Sequence, residues 1–374
     1  MKKLLTDPIL LVASPSANPD VRYITGFSAP DPVVVLCSGK NIHLVVSALE
    51  YGRAVRETSG LKIHTPESLR LDPAKKRDVV GWAIALLKAN RLHRVRVPWD
   101  FSAGIALKLQ KEKIRCEVIE GPVFPQRAVK TAKEIKCLRE AQCAAVRAMS
   151  AACKRIRNAS VNSRGLLCEG RKVITSEDLQ RFIDKVLLED NCATESTIAA
   201  CGKQSADPHG HGSGPLCANE PIVIDIFPKH KVHGYFGDLT RTVVKGKPSA
   251  KVAAMHRAVK AAQADALSRV RAGVRASDIH AAVHETFARH GFQTVIMDGF
   301  PQGFIHGTGH GVGLAIHEAP SVSTAENILR AGNVITIEPG LYYRDAGGVR
   351  IEDTVVVTRT GYEYLCPLRK TIAP

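Results

Sequence analysis

The sequence predicts a mixed α/β (α+β) protein of two domains, and three observations lead to this prediction. The chain has 374 residues, which is more than one domain usually contains. Short β-rich runs alternate with helical segments over residues 1–125. Residues 126–374 contain two pairs of helical segments, and each pair is followed by a β-rich segment that carries two acidic residues. The second domain is therefore expected to contain an internal structural repeat.

The composition is that of a globular protein, with 45% hydrophobic and 24% charged residues. The formal net charge of +16 predicts a general attraction to polyanions. However, the basic residues are scattered and aromatic residues make up only 5% of the chain, so no specific nucleic-acid binding is expected. No run reaches the roughly 18 apolar residues that a membrane-spanning helix needs.

The ten cysteines are far apart and form no CxxC pair. This pattern favours buried thiols in a reducing compartment over a disulfide framework or a zinc knuckle. The first residues, MKKLLTDPILLVASPSA, weakly resemble a signal peptide, but Asp7 and Pro8 interrupt the apolar segment. A cytoplasmic location is therefore expected.

The first domain is predicted to alternate strands and helices. The strands are Pro8–Ala13, Pro32–Cys37, Asn41–Val46, Arg94–Val97 and Arg115–Ile119, and the helices are Val79–Lys88 and Ala103–Lys113. No cluster of histidines and acids suggests chemistry here, so a role as scaffold, dimer contact or substrate gate is expected. The proline-containing segment Gly121–Arg127 is the predicted linker.

Two helix pairs are predicted in the second domain. The first helix runs from about Thr131 to Asn158, and Glu134 stands three residues after Thr131, as in a capping box. The second begins at Thr175 or Ser176 and ends at Leu188, and a strand at Ser196–Cys201 follows it. The second pair comprises Ser249–Arg271 and Ser277–His290.

The β-rich segment after each helix pair is predicted to form a hairpin that brings two acids together. The first hairpin joins Pro221–Phe227 to Tyr235–Val244. With its turn between Lys231 and Val232, Asp225 lies directly opposite Asp238. In the second hairpin, with its turn near residue 345, Glu338 lies opposite Glu352. Facing carboxylates inside apolar strands repel each other and are costly to desolvate, and a bound cation removes both penalties.

The stretch HGTGHGVGLAIHE contains His306, His310 and His317 among glycines and small residues. Glycine leaves the backbone open to a ligand, and imidazole is a common metal ligand. A glycine-rich loop with incidental histidines is the alternative, which the acidic pairs make less favourable. Four carboxylates with one imidazole suit two divalent ions, with Mn²⁺ preferred and Zn²⁺, Co²⁺ or Fe²⁺ possible. Such a pair of ions can activate water and polarise an amide carbonyl.

These motifs, in this order, resemble those of the pita-bread metallopeptidases, which include aminopeptidase P, prolidase, methionine aminopeptidase and the non-peptidase creatinase. The matching segments are Pro208–His209, Ile224–Phe227 (IDIF), Gly237–Thr242 (GDLTRT), His306–Glu318, Ile337–Gly340 (IEPG) and Arg350–Asp353 (RIED). The phrase YITGF at Tyr23–Phe27 and the size of the first domain resemble the creatinase-type N-terminal domain. The resemblance implies a creatinase-like α/β domain at 1–125 and a pseudo-symmetric pita-bread catalytic domain at 126–374.

The resemblance also implies a set of metal ligands. Asp225 is expected to bind one metal ion, and Asp238 is expected to bridge both ions. His310 and Glu338 are expected to hold the second ion, with Glu352 as the other bridge. Glu338 is also the expected general base.

The remaining catalytic roles implied by the resemblance fall mainly on histidines. His306 and His317 are expected to contact the scissile peptide and stabilise the transition state. His209 is expected to support the leaving group or the oxyanion, although His211 competes for this place. Arg350 is expected to orient the metal ligands.

The chain departs from the family in the spacing of its first two acids. Asp225 and Asp238 are separated by two residues more than is usual in the family, and the loop between them contains KHKVH. Because the insertion is even, both acids are expected to keep the same face of the hairpin. His230 and His233 in this loop are expected to be solvated.

His280 and His284 have the spacing of helical metal ligands, but HAAVHE lacks the glutamate of an HExxH motif. They are expected at a helix surface or an interface.

The resemblance implies a peptidase that cleaves the Xaa-Pro bond, either at the N-terminus of peptides, as in aminopeptidase P, or in dipeptides, as in prolidase. Its substrate is a peptide with proline at the second position, and a homodimer is expected. A creatinase-like hydrolase or lyase is the alternative on the same fold. A metal-free pseudoenzyme that serves as a binding module is the alternative of a different class.

Overall fold

The computed structural model describes residues 5–72, 78–297 and 299–374. The chain divides into two compact units, Met1–Pro125 and Gln126–Pro374. The first four residues of the segment that weakly resembles a signal peptide lie outside the described residues. In the described part of the chain, no helix has the length and apolar character needed to cross a membrane.

The first unit is built on one six-stranded mixed sheet, with strand order β4-β3-β2-β1-β5-β6. Its strands are β1 (Leu5–Ala13), β2 (Val33–Gly39), β3 (Asn41–Val45), β4 (Lys62–His64), β5 (Arg94–Pro98) and β6 (Arg115–Ile119). Its helices are α1 (Pro19–Thr25), α2 (Ala48–Glu57), α3 (Val79–Ala89) and α4 (Ala103–Lys111). Strand β2 shows why the sequence forms a buried strand here. Val33, Val35 and Cys37 enter one apolar cluster, whereas Val34 and Leu36 enter another on the opposite face.

The five strands predicted for this unit are present; Arg115–Ile119 has the predicted bounds, and the bounds of the other four differ by at most three residues. Helices α1 and α2 and strand β4 were not predicted. Helix α1 has only seven residues and begins at an Asn18 cap, whose side chain accepts the amides of Asp20 and Val21. Helix α2 buries only Ala54. Helix α1 is too short to show a clear periodic pattern.

Within its described residues, the second unit has four α-helices and several small sheets. Its helices are α5 (Ala132–Asn158), α6 (Ser176–Glu189), α7 (Ala250–Arg269) and α8 (Ala276–Arg289). Its strands are β7 (Ser160–Val161), β8 (Leu167–Glu169), β9 (Lys172–Val173), β10 (Cys192–Ala193), β11 (Ile198–Cys201), β12 (Ile222–Ile226), β13 (Lys229–His230), β14 (Leu239–Val243), β15 (Val295–Met297), β16 (Phe300–Gln302), β17 (Gly309–Gly311), β18 (Glu318–Val322), β19 (Val334–Ile337), β20 (Gly340–Tyr343), β21 (Gly347–Arg350), β22 (Asp353–Val357) and β23 (Tyr362–Tyr364). The predicted capping box of Thr131 and Glu134 opens α5.

The predicted internal repeat is present in the second unit. Helices α5 and α6 precede a sheet with the order β11-β12-β14, and helices α7 and α8 precede a sheet with the order β18-β17-β19-β22-β23. The strands β17, β19 and β22 therefore repeat the arrangement of β11, β12 and β14. Each half has its own apolar core between its helices and its sheet.

The first hairpin differs from the prediction in its register. Asp225 pairs with Thr240 rather than with Asp238, and Lys229 forms a bridge with Phe236. The turn is therefore centred one residue later than predicted. The loop departs from a tight hairpin because β13 pairs with β10, another segment of the same unit. Since Asp238 stands two residues before Thr240, the two aspartates still lie on the same face.

The second hairpin has the predicted register on both sides of its acids. Ile337 pairs with Asp353, and Gly340 pairs with Arg350. Glu338 and Glu352 lie between these two ladders, at the break between β19 and β20 on one side and between β21 and β22 on the other. The break frees both carboxylates from the regular pleat.

Gly237 allows the first hairpin to approach helix α5 closely. A Cβ atom at this position would lie 2.7 Å from the backbone of Ala141, which cannot move aside without shifting the helix. The glycine of the GDLTRT motif is therefore explained by contact between two backbones.

We predict that Gly237→Ala destabilises the protein by about 1–3 kcal/mol, because the added methyl group overpacks the contact with α5. Gly361→Ala is the matched control, since a Cβ atom there meets nothing within 4 Å. Urea unfolding of both variants measures the effect. Equal unfolding midpoints for the two variants would contradict this explanation.

Candidate metal centre

One cavity of about 520 Å³ in the second unit brings together all the residues that the sequence singled out for the site. They are His209, Asp225, Asp238, His306, His310, His317, Glu338, Arg350 and Glu352. Both halves of the repeat contribute to the lining, so the cavity lies where the two halves meet.

The five predicted metal ligands lie on or beside the central strands of the two repeated sheets. Asp225 is in β12 and Asp238 immediately precedes β14. His310 is in β17, Glu338 immediately follows β19, and Glu352 immediately precedes β22. Asp225 and His310 thus lie within strands, whereas Asp238, Glu338 and Glu352 lie directly beside strand ends.

The ligand atoms of these residues converge. His310 Nε2 lies 3.2 Å from Glu338 Oε1 and 3.5 Å from Asp238 Oδ2. Asp238, His310 and Glu352 each offer one ligand atom, and these atoms lie within 4.8 Å of one another. Asp225 joins the cluster through Arg350, whose Nη2 donates to Asp225 Oδ2 at 2.7 Å.

Burial and mutual repulsion make the ionised forms of the clustered carboxylates unfavourable. Asp238 is 4% exposed and Glu352 is 2% exposed. Burial raises the pKa of the Asp238 carboxyl well above its usual value, and the charge of Asp225 adds to this effect. Burial also raises the pKa of Glu352, with the charge of Asp238 as the next cause. A divalent cation bound between these carboxylates would favour their charged forms and so lower their pKa values.

Glu338 and His310 behave as an ion pair. Burial acts to raise the pKa of Glu338, but the hydrogen bond and the charge of His310 outweigh it, so the pKa is lowered. Burial acts to lower the pKa of His310, but the hydrogen bond to Glu338 and the neighbouring carboxylates raise it. The imidazole must release its proton to bind a metal ion, so metal and proton compete for this residue.

Asp225 offers direct evidence that the residues fit a metal ion. Its Oδ2 accepts from Arg350, but its buried Oδ1 has no hydrogen-bond partner among the described residues. A buried carboxylate oxygen without a donor is strongly unfavourable unless a cation satisfies it. The donor set of carboxylates and one imidazole is suited to a divalent metal.

Arg350 and Thr240 connect the ligands of the two halves. Thr240 Oγ1 donates to Glu352 Oε2 at 2.8 Å, and Arg350 Nε donates to Thr240 Oγ1 at 3.1 Å. The guanidinium also donates to the hydroxyl of Tyr342 at 2.8 Å. Arg350 thus holds Asp225 from the first half and Tyr342 from the second.

Tyr342 is a buried residue that the sequence interpretation missed. Its hydroxyl lies 2.9 Å from His306 Nε2, and His306 Nδ1 lies 2.8 Å from the carbonyl of Gly307. Because a carbonyl can only accept, Nδ1 carries the proton and Nε2 accepts from Tyr342. Both ring nitrogens of His306 are therefore engaged within the protein, and its contact with substrate stays a prediction. Only its place two residues after the IEPG motif could have pointed to Tyr342.

His317 lies beside the ligand cluster. Its ring packs edge-on against the ring of His310, with 4.3 Å between centroids.

The residue after His317, Glu318, accepts from Arg127 at 2.6 Å and from Lys130 at 2.8 Å. This buried ion triad, also missed from the sequence, anchors the end of the histidine-rich stretch to the segment before α5.

His209 and His211 both line the cavity. His211 Nδ1 lies 2.6 Å from Ser196 Oγ, next to β11. The backbone amide of His209 donates to Asp207. The role of His209 stays a prediction, with His211 as its competitor.

A second group with metal-binding side chains comprises Glu140, His230 and His233. The two rings stack at 3.8 Å, and His233 Nε2 lies 3.6 Å from Glu140. The prediction that both histidines are solvated was wrong, since both are half-buried. Backbone amides donate to the Nδ1 atom of each ring. In the neutral ring of His233 the proton is therefore on Nε2, so the nitrogen that faces Glu140 lacks a free lone pair for a metal.

The prediction of a helix surface or interface was wrong for His280. This residue is buried, and its Nδ1 lies 2.9 Å from Thr308 Oγ1. It is buried because its face of α8 packs on Phe304 and on the histidine-rich stretch. His284, one turn later, is exposed.

Comparisons with known proteins agree with this geometry. Residues 136–359 match the family described as "Metallopeptidase family M24", and residues 4–119 match the "Creatinase/Prolidase N-terminal domain". The chain belongs to metallopeptidase family M24. The metallopeptidase is 30% identical over 367 residues to the Xaa-Pro dipeptidase of Pyrococcus horikoshii, a match that covers 98% of this chain and 94% of that protein.

Solved structures with similar folds cover nearly the whole metallopeptidase. The X-Pro aminopeptidase from Thermotoga maritima superimposes with a TM-score of 0.80 at 25% identity, covering 98% of this chain and 96% of that chain. Prolidase from Pyrococcus furiosus superimposes with a TM-score of 0.80 at 26% identity, covering 97% of each chain. The predicted fold is thus confirmed: a creatinase-type α/β domain followed by a pita-bread metallopeptidase domain. Membership of the family implies divalent metal ions.

We predict that adding a divalent metal ion such as Mn²⁺ to the metal-free metallopeptidase raises its thermal unfolding midpoint. The ion relieves the repulsion among the buried carboxylates, and at about 100 times its Kd it stabilises the folded state by about 2.7 kcal/mol. Differential scanning calorimetry with and without the ion measures the shift. An Asp225→Ala control should shift less, and an equal shift in both proteins would place the bound ion elsewhere.

Proposed function

We propose that the protein is a dinuclear metal-dependent peptidase that hydrolyses the Xaa-Pro bond, at the N-terminus of peptides or in dipeptides. The observation that carries the proposal is the convergence of Asp225, Asp238, His310, Glu338 and Glu352 around one cavity. Relatives named Xaa-Pro dipeptidase, X-Pro aminopeptidase and prolidase, each matched over nearly their full length, support the substrate class.

In this proposal two divalent ions occupy the centre, with Mn²⁺ preferred and Zn²⁺, Co²⁺ or Fe²⁺ as alternatives. Asp225 would hold one ion, and His310 with Glu338 would hold the other. Asp238 and Glu352 would be shared by the two ions. When bound, the ions supply an activated water and polarise the scissile carbonyl.

The remaining residues act on the substrate or on the ligands. Glu338 serves as the general base for the attacking water. His317 and His306 contact the scissile peptide, and His209 supports the leaving group or the oxyanion. Arg350 orients Asp225, in agreement with their 2.7 Å hydrogen bond.

The lining of the cavity beyond the charged cluster supports a substrate with an apolar ring. Ile198, Phe227 and Ile316 all contribute to it. Apolar side chains beside a few polar groups bind an apolar ring by burial and leave the polar groups to fix its orientation. A proline side chain meets these requirements.

The proposal assigns residues 1–125 to a creatinase-type N-terminal domain and residues 126–374 to the catalytic domain. We also propose a homodimer without a specific nucleic-acid partner. A cytoplasmic location is supported by the ten cysteines, all of which are free thiols. No observation favours the creatinase-like activity or the metal-free pseudoenzyme, because all five predicted ligands line the same cavity.

We predict that the protein loaded with Mn²⁺ releases the first residue from Xaa-Pro peptides. Asp238→Ala should lower kcat/KM by at least 100-fold, because it removes a bridging ligand and leaves Glu352 without a shared cation. The assay compares an Xaa-Pro dipeptide, an Xaa-Pro tripeptide and the matching Xaa-Ala peptides by chromatography of the products.

Two outcomes of this assay count against the proposal. One is the absence of metal-dependent release from every Xaa-Pro peptide. The other is equal turnover of the Xaa-Ala peptides, which would place specificity elsewhere than at proline. The ratio of dipeptide to tripeptide turnover distinguishes the prolidase-like from the aminopeptidase P-like form.

A further inference from the structure

A buried glutamine on helix α5 forms two hydrogen bonds with the backbone of Asp238. Gln142 is 1% exposed. Its Nε2 donates to the carbonyl of Asp238 at 2.8 Å, and the amide of Asp238 donates to Gln142 Oε1 at 2.7 Å. The side-chain amide therefore satisfies both polar groups of one backbone residue.

This contact replaces a missing strand partner. Asp238 stands immediately before β14, and the ladder between β12 and β14 ends at the pair of Ile226 with Leu239. Beyond that pair, the backbone of Asp238 is held by the side chains of Gln142 and Thr354. Thr354 Oγ1 donates to the Asp238 carbonyl at 2.8 Å. Its direction is therefore set by side chains from two other elements rather than by its own hairpin.

The close approach of α5 makes the contact possible. Gly237, the residue before Asp238, lies against the backbone of Ala141 and Gln142, where a Cβ atom would lie within 2.8 Å of both. Gly237 and Gln142 thus act together: the glycine lets the backbones meet, and the glutamine fixes the peptide groups once they have met.

The second half of the repeat has a corresponding glutamine. Gln263 lies on α7, the first helix of the second pair, and is fully buried. Its Nε2 donates to the carbonyls of Ile337 at 2.9 Å and Ile351 at 3.2 Å and to Asp353 Oδ2 at 3.2 Å, whereas its buried Oε1 has no hydrogen-bond partner among the described residues. These carbonyls belong to the residues directly before Glu338 and Glu352. In both halves, therefore, a buried glutamine on the first helix contacts the backbone at the acidic residues.

Ordinary packing does not require a glutamine at these places. A buried amide must find partners for all its polar atoms or lose stability, whereas an apolar side chain of similar volume carries no such requirement. What the amide adds is a fixed orientation of the peptide groups that it bonds. At both positions those peptide groups carry or adjoin a carboxylate that lines the cavity.

We propose that Gln142 is a positioning residue that sets the direction of the Asp238 carboxylate for metal binding, and that Gln263 has the same role for the glutamates of the second half. This inference rests on the proposed function, since it requires Asp238 to be a metal ligand. Gln142 is not among the residues that line the cavity. It acts through the backbone of Asp238, which does line it.

The test measures metal binding rather than peptidase activity alone. Gln142→Met keeps the length of the side chain and removes both hydrogen bonds. Isothermal titration of the metal-free, full-length protein with Mn²⁺ gives the dissociation constant. The visible absorption spectrum of the Co²⁺-loaded protein reports the coordination geometry. We expect Gln142→Met to weaken Mn²⁺ binding by about 10- to 100-fold and to change the Co²⁺ spectrum, as is typical when a partner of a metal ligand is removed.

Met149→Ala is the matched control. Met149 is fully buried on the same helix, in the apolar core of the same half. This variant loses stability without removing a hydrogen bond to Asp238, and we expect Mn²⁺ binding and the Co²⁺ spectrum of the wild type. If Gln142→Met does not fold, Gln142→Glu tests the same contact. The glutamate keeps an acceptor for the Asp238 amide. We therefore expect a loss of Mn²⁺ affinity that is smaller than in Gln142→Met but larger than in Met149→Ala.

Three results separate the possible explanations. Weaker Mn²⁺ binding in Gln142→Met but not in Met149→Ala supports the positioning role. Unchanged Mn²⁺ binding in Gln142→Met, or an equal loss of binding in Gln142→Met and Met149→Ala, overturns the positioning role. The proposed function then still stands if Asp238→Ala weakens Mn²⁺ binding. Unchanged binding in Asp238→Ala overturns the proposed metal site and this inference with it.

Discussion

Mutual repulsion of carboxylates in one buried space is the constraint on which the site depends. Asp225, Asp238, Glu338 and Glu352 line the same cavity, and Asp238 and Glu352 are buried. Proteins avoid such clusters unless opposite charge is present. Arg350 and the protonated form of His310 supply part of this charge, and the bare Oδ1 of Asp225 indicates where more is needed.

The repeated architecture explains how one chain can hold these acids together. Each half supplies a helix pair that covers a small sheet. Asp225 lies within the ladder of β12, whereas Asp238, Glu338 and Glu352 lie at the ends or breaks of strands. At a break the backbone amides need other partners. The amide of Glu338 donates to Thr308 and that of Glu352 donates to Thr240, while Gln142 binds the amide of Asp238. Bonds between elements thus replace bonds within each hairpin, and the ligand directions become a property of the whole domain.

Much of this site could be predicted from the sequence because its signals are local. The alternation of apolar residues placed the strands, and the even number of inserted residues kept Asp225 and Asp238 on one face even though the exact register was wrong. The contacts of Gln142, Tyr342 and Glu318 could not be predicted. Each joins segments that are tens of residues or more apart in sequence, and no periodic pattern marks which distant backbone a buried polar side chain will meet. His280 illustrates the same limit, since helical spacing alone did not indicate that its face is buried.

The central claim is that the two repeated halves form one dinuclear metal centre. Anomalous diffraction from crystals of the Mn²⁺-loaded protein, collected near the manganese absorption edge, tests it most directly. The account predicts two anomalous peaks about 3.5–4 Å apart, between the carboxylates of Asp238 and Glu352. A peak confined to Glu140, His230 and His233, or no peak within the cavity, would contradict it.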